Sequence, residues 1–229
     1  MTDSAYIPPV PSSDAAASNH EQDNGVESPA VPFIVPDDSP LRVNLPLRQI
    51  WALWFLNNDK KAEWTERLSV VHKFTHLEEF IAFYDNIRPP STCAGCDYNL
   101  FKDPIQPMWE VPENVDGGRL VLFIDKNRPD ALDIFWSELL FALVGNVFGD
   151  DTPSICGAVC NIRPKGSKIC IWTQNATDDE ANQRIGYVMK RIFTEAPFEH
   201  PPPPIEIRYE DHKSVQAKSS SKVNARFTI

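Results

Sequence analysis

Leu132, Phe135, Trp136, Leu139, Leu140, Leu143 and Val147 recur at the spacing of one helix face across residues 130–148. A stripe that broad needs an equally apolar surface to lie on, so it constrains the fold more than any other stretch. Asp130 offers an N-cap and Gly149 an end. The surface is available in runs rich in aromatic and β-branched residues at 48–56, 67–74, 99–102, 107–111, 119–125, 157–163, 167–173, 205–209 and 225–229, each readable as a strand. Two more helices are predicted behind capping-box patterns. Thr75-His76-Leu77-Glu78 opens one with apolar positions Leu77, Phe80, Ile81 and Tyr84, and Thr177-Asp178-Asp179-Glu180 opens the other through about Phe193. Pro89-Pro90 stops the first, while Asp116-Gly117-Gly118 and Pro164-Lys165-Gly166 turn the chain between strands. Strands dominate, with helices spaced between pairs of them. The expected fold class is α+β: a single domain with a curved, largely antiparallel sheet, three helices on its convex face and the concave face free for a ligand.

The 229 residues, 42% hydrophobic, suffice for one well-packed domain. Residues 1–40 mix Pro, Ser, Ala and Asp without periodicity and are expected to form a disordered acidic tail before a folded domain at 41–229. Asp3, Asp14, Glu21, Asp23, Glu27, Asp37 and Asp38 precede the first basic residue, Arg42, so of the net charge of −10 only −3 falls on the rest. That balance argues against a broad basic face tracking many phosphates and suits one local cationic pocket. No apolar run approaches the ~18–20 residues of a membrane span, and the start lacks a signal pattern, so a soluble intracellular protein is expected. Five cysteines form an odd set; Cys156, Cys160 and Cys170 sit in apolar runs, where a free thiol behaves as a small hydrophobe. Cys93-Ala94-Gly95-Cys96, with His72 and His76 upstream, has metal-knuckle spacing but no second cysteine pair at ribbon spacing, and neither metal nor cofactor is expected.

The chemistry concentrates in Pro107-Met108-Trp109-Glu110. An indole face beside a carboxylate suits a flat, cationic, hydrogen-bond-donating purine such as a methylated guanine. Stacking contributes about 1–3 kcal/mol and the cation–π term about 0.5–2 kcal/mol. Glu110 could accept the ring imino and exocyclic amino hydrogens, a pair of bonds that adenine cannot imitate. A sandwich needs a second plane, and Trp64 lies in a polar, turn-like segment with Lys60, Lys61, Glu63 and Glu66. Arg163, Lys165 and Lys168 cluster around a Pro/Gly turn and suit a short run of phosphates. Trp51, Trp54 and Trp136 sit in apolar stripes and are assigned to packing.

These residues carry a family resemblance. Trp51-Ala52-Leu53-Trp54-Phe55, Cys96-Asp97-Tyr98-Asn99-Leu100-Phe101-Lys102-Asp103, Pro107 to Glu110, Gly117-Gly118-Arg119, Cys156-Gly157-Ala158-Val159 and Lys168-Ile169-Cys170-Ile171-Trp172 look like the eukaryotic translation initiation factor 4E family, which binds the mRNA 5′ cap. Trp51 and Trp64 together resemble its tryptophan-retaining branch. The resemblance implies a non-catalytic factor in which Trp64, Trp109, Glu110 and Trp172 hold the 7-methylguanine base. It implies that Arg163, Lys165, Lys168 and Arg119 hold the phosphates, with Asp97 orienting the phosphate-binding arginine. Ser221 falls near a regulatory phosphorylation site of the family. A monomeric protein of the cytoplasm is implied, with the nucleus a second compartment, and capped mRNA as its ligand.

The same resemblance implies a protein partner on the helical face: scaffold factor 4G, or other proteins with a tyrosine-x4-leucine motif, gripped by Pro46, Leu77, Ile81, Glu138 and Leu140. The chain departs from the family here, because Ile81 stands where members usually present a tryptophan, and Leu45-Pro46-Leu47-Arg48 replaces the usual His-Pro-Leu-Gln. Loss of an aromatic anchor at an interface costs on the order of 2–4 kcal/mol. Two roles therefore stand side by side: an initiation factor that recruits mRNA to the scaffold, or a specialised isoform or repressor that holds caps without productive recruitment.

Overall fold

The computed structural model describes residues 44–59, 61–199, 201–217 and 224–229; the expected tail and Ser221 lie outside the described residues. Eight strands form one open sheet: β1 (Pro46–Leu56), β2 (Leu68–His76), β3 (Asp97–Lys102), β4 (Gly118–Ile124), β5 (Ile155–Asn161), β6 (Ser167–Thr173), β7 (Ile207–Asp211) and β8 (Phe227–Thr228). Their order is β2-β1-β3-β5-β6-β4-β7-β8, and every neighbouring pair is antiparallel. Register shifts between Leu53 and Trp54 and between Ile155 and Gly157 bend the strands and add to the curvature.

Successive side chains on a strand point to opposite faces, and the sequence alternates accordingly. On one face Leu53, Phe55, Tyr98, Leu100, Leu120, Leu122, Ala158, Ile169 and Ile171 join a core with Phe80, Phe135, Leu139, Ile185, Met189 and Phe193. The helical residues come from α2 (Leu77–Tyr84), α4 (Pro129–Val144) and α5 (Asp179–Thr194), so all three long helices cover this face. Burying a Leu or Phe side chain there contributes roughly 1.5–3 kcal/mol. On the other face Phe101, Val121, Cys156, Val159, Cys170 and Trp172 make a smaller cluster against which Trp54 and Trp109 pack. Three short helical turns complete the fold: α1 (Trp64–Arg67), α3 (Pro112–Val115) and α6 (His212–Gln216).

The structure corrects several local readings. Residues 107–111 do not form a strand; they make an irregular turn into α3, with Pro112 at the helix start. The buried Asn114 amide donates to the carbonyls of Gln106 (2.9 Å) and Met108 (2.7 Å), pairing those acceptors inside the turn. Helix α4 starts at Pro129 with Arg128 as its cap, because proline is pre-organised for the first helical position. Asp130 instead accepts from the Arg128 guanidinium at 2.9 Å. The helix stops at Val144, not Phe148, and Asn146 takes a left-handed φ of 56°; Val147 leaves the stripe and is exposed. The first capping box shifts by one residue, and the second is replaced by a single N-cap at Asp178. Glu79, not Glu78, accepts from the backbone N–H groups of Thr75 (2.7 Å) and His76 (3.2 Å), and Asp178 accepts from the Ala181 N–H at 3.1 Å.

The β5–β6 hairpin forms as expected, and Gly166 at its tip has φ 133°, a conformation that favours glycine. Cys156, Cys160 and Cys170 are free and buried in the sheet; desolvation pushes the Cys156 thiol up to about 12 and Cys170 up to about 11. Cys93 Sγ and Cys96 Sγ approach to 3.0 Å, and no group of three or more His, Cys, Asp or Glu side chains is placed to hold a metal ion among the described residues. No described helix is long and apolar enough to cross a membrane.

Candidate functional site

Antiparallel register lays three rows of side chains across the face that carries no helix. One row runs Ala52, Phe101, Gly157, Trp172, Arg119, Glu210; the next runs Trp54, Asn99, Val159, Cys170, Val121, Arg208; the third runs Leu56, Asp97, Asn161, Lys168, Phe123. Adjacent rows lie two residues apart along each strand, about 6.6–6.8 Å. Glycine is required at Gly157: an added Cβ would fall 2.5 Å from the Leu100 carbonyl and from the Phe101 ring. That close approach lets the Phe101 ring meet Trp172 edge-on at 5.4 Å.

Two tryptophans stand over these rows. Trp64 comes from α1 and is 40% exposed, whereas Trp109 comes from the turn before α3 and is half-buried. Together with Trp172, Arg119, Asp97, Asn99, Asn161 and Pro107 they line one cleft of about 100 Å³. The Trp109 indole packs on Trp172 at 4.8 Å and meets the His212 ring at 4.6 Å, and Arg119 Cζ lies 5.3 Å from its centroid. Arg119 is fixed in turn, because its Nε and Nη2 donate to Glu210 Oε2 at 3.0 and 2.7 Å in a buried pair. Breaking such a pair from one side leaves a charge desolvated without a partner.

The cations form a second cluster beside the cleft. Arg163 Nη1 donates to Asp97 Oδ1 at 2.5 Å and to the carbonyls of Cys96 and Ile162, while Nη2 donates to Asp97 Oδ2 at 3.1 Å. The carboxylate raises the guanidinium pKa further above its ordinary value, so it stays charged. Lys165 is exposed on the hairpin turn, and Lys168 Nζ lies 4.9 Å from the Phe123 ring centroid. A fixed guanidinium with flanking lysines can bind phosphate oxygens by charge-assisted hydrogen bonds.

A sequence profile described as Eukaryotic initiation factor 4E matches residues 46–227. The chain belongs to the eukaryotic initiation factor 4E family. Eukaryotic translation initiation factor 4E-1 of Caenorhabditis elegans is 51% identical over 187 residues, covering 80% of this chain and 88% of that protein. The structure of Ascaris suum eIF4E-3 with an m2,2,7G cap superposes with a TM-score of 0.73 at 39% identity, covering 82% of this chain and 99% of that one. C. elegans eIF4E-3, solved with the 4E-binding protein Mextli and a cap analog, gives a TM-score of 0.72 at 39% identity over 82% of this chain and 100% of that one.

Within this 4E-family fold the residues singled out from sequence fall into three places. Trp64, Trp109, Trp172, Arg119 and Asp97 line the cleft; Arg163, Lys165 and Lys168 lie beside it; Glu110 is exposed on the Trp109 turn and does not line the cleft. Pro46, Leu77, Ile81, Glu138 and Leu140 belong instead to the helical side. Pro46 is exposed, Leu77, Ile81 and Glu138 are half-buried, and Leu140 is buried. Among the described residues the apolar side chains presented outward there include Leu45 and Phe141, and the Phe141 ring meets Phe80 at 5.3 Å and Tyr84 at 4.9 Å.

Sequence reasoning missed Asn99, Asn161, Glu210 and His212. The first two are polar positions on strand faces opposite the core, a signal present in the alternation. Glu210 and His212 carry no local signal, since Arg119 and Asn114 reach them only through pairing of distant segments. His212 is fully buried, and its Nδ1–H donates to the Asn114 carbonyl at 2.8 Å; desolvation lowers its pKa to about 4.

This gives a pH dependence of defined sign. Above the ordinary histidine value near 6.5 His212 is neutral in both folded and unfolded chains, so it adds no slope. Between about 6.5 and about 4 the unfolded chain binds a proton that the folded chain refuses, so stability falls as pH falls, by up to about 3 kcal/mol from this group. Urea midpoints measured from pH 7.5 down to 4.5 are expected to show the decline, and His212→Gln to flatten it. Equal slopes in parent and variant would assign the acid sensitivity elsewhere.

Proposed function

We propose that this chain binds the 7-methylguanosine cap of mRNA in the cleft between Trp64 and Trp109 and promotes translation initiation by bringing the message to scaffold factor 4G. The observation that carries the reading is the convergence of Trp64, Trp109, Trp172 and Arg119 on one cleft. A methylated guanine is flat and positively charged, and two indole planes satisfy both properties. Glu110, exposed on the same turn as Trp109, supplies the acceptor for the guanine N–H groups when the base enters. Arg163, held by Asp97, is the fixed phosphate donor, and Lys165 and Lys168 are mobile ones. Arg119 is already committed to Glu210 through Nε and Nη2, which leaves Nη1 to reach a phosphate directly or through water. The proposed role is binding without catalysis, in the cytoplasm and in the nucleus. The complexes of related proteins with cap analogs support the ligand.

Titrating intrinsic tryptophan fluorescence with 7-methyl-GTP and with GTP tests the reading. Saturable quenching by the methylated nucleotide, at concentrations at least tenfold below those needed for GTP, is the expected result. Equal affinities would remove the charge-reading role of the indoles.

Ile81 favours a second reading, in which caps are held without productive recruitment. It is half-buried on α2 and packs against the core, so it offers apolar area but no indole donor. A helix carrying the tyrosine-x4-leucine motif is expected to bind this face weakly. Ile81→Trp is expected to strengthen binding by roughly 1–2 kcal/mol through added contact area and a new donor. Calorimetry with one scaffold peptide on both proteins checks this. Tight binding by the parent with no gain in the variant would leave the initiation role as the better account.

A further inference from the structure

The helix-free face carries an exposed aromatic side chain, Phe123, that does not line the cleft. Phe123 lies on β4 two and four residues from Val121 and Arg119, so it shares their face, and it is 48% exposed. Its cross-strand partner is Lys168, whose Nζ lies 4.9 Å from the ring centroid, and Arg208 Cζ lies 5.9 Å from the same ring on the β7 side. A single exposed apolar residue ordinarily needs no explanation. Three features set this one apart: cations flank the ring on both sides, the chain as a whole is acidic at −10, and the row continues through Asn161 to Asp97, which anchors Arg163. Arg208 is partly engaged by Glu206 at 2.6 Å, but no carboxylate lies within ion-pair distance of Lys168 among the described residues.

We infer that Phe123 is a stacking platform for the first nucleoside of the RNA that follows the cap triphosphate, with Lys168 and Arg208 holding the phosphates on either side of it. The inference rests on the cap-binding reading and extends the same site along the sheet. From the Trp172–Arg119 row to the Lys168–Phe123 row is four residues of strand, about 13 Å. A chain that leaves the cleft past Arg163 and Lys168 therefore meets Phe123 next. Aromatic stacking tolerates any base because every base has a π-face, and cations beside the ring track the backbone. Recognition is thus of an RNA strand entered from its 5′ end, without a sequence code, and with purines held more firmly than pyrimidines because they stack over a larger area.

The test compares 7-methyl-GTP with a tetranucleotide RNA carrying a 7-methylguanosine triphosphate cap and adenosine as its first nucleoside, on the parent, Phe123→Ala, Phe123→Leu and Phe123→Trp. Phe123→Ala and Phe123→Leu are expected to bind the capped tetranucleotide about tenfold more weakly than the parent while binding 7-methyl-GTP equally well. Phe123→Trp is expected to restore the tetranucleotide affinity. Thermal melts of all four proteins are expected to coincide, since the side chain is exposed. Retention of tetranucleotide affinity by Phe123→Leu would show that the ring does not stack, and equal losses on both ligands would place the effect in the cleft; either result overturns the platform. Failure of the parent to bind 7-methyl-GTP is a separate outcome that overturns the cap reading itself, and the platform with it.

Discussion

Replacing Trp109 with alanine is expected to lower affinity for 7-methyl-GTP by about 10²-fold or more. The substitution removes one indole plane, worth about 1–3 kcal/mol of stacking, together with a cation–π contribution of about 0.5–2 kcal/mol. The loss should be larger than for Trp64→Ala, because Trp109 is also the side chain on which Arg119, Trp172 and His212 converge, whereas Trp64 is mostly a lid at 40% exposure. Fluorescence titration and retention on immobilised 7-methyl-GTP measure both variants. The fold should survive, since Trp109 packs on the small cluster of the open face and not in the main core. Full retention of the Trp109 variant on the resin would refute the assigned cleft.

Glu210→Ala is expected to destabilise the folded protein by about 3–5 kcal/mol, the usual size of the penalty when one member of a buried ion pair is removed. Glu210 is 5% exposed and Arg119 8%, and both donated hydrogen bonds end on the same carboxylate oxygen. The penalty belongs to the stranded guanidinium more than to the lost attraction. The double variant Arg119→Leu, Glu210→Leu should therefore recover most of the stability while remaining poor at holding a triphosphate. Denaturant midpoints for the two proteins separate these effects. A double variant no more stable than Glu210→Ala would mean that packing around the pair, and not the unpaired charge, dominates.

Legibility in the sequence followed the range of the interactions. The stripe of Leu132, Phe135, Trp136, Leu139 and Leu143 is written in local spacing and appears as α4, and the hairpin at Gly166 appears where the Pro/Gly turn predicted it. Trp64, Trp109 and Trp172 could be named because tryptophan in a polar or motif-like setting is conspicuous. The segment 107–111 misled because a short run rich in apolar residues cannot reveal that Asn114 will pair the carbonyls of Gln106 and Met108. The cap of α2 slipped by one residue because Thr75 and His76 both present their N–H groups to Glu79, so adjacent positions satisfy one carboxylate. Glu210 and His212 were invisible for a different reason. Their partners are 91 and 98 residues away, and only the sheet order brings them together.

That sheet order also sets a clock on activity. The cleft takes Trp64 from near the start of the described chain and its Trp109 support from His212 near the end, and β4 pairs with both β6 and β7, which follow it. Contacts between segments so far apart in sequence form only after large loops have closed, which places such folds among the slower ones. A nascent chain lacking its last fifty residues would present Trp64 and the hairpin cations but neither Glu210 beside Arg119 nor His212 behind Trp109. Competence to bind thus waits until the segment carrying Glu210 and His212 has been made and paired, so a copy still lacking it competes poorly for the same messages.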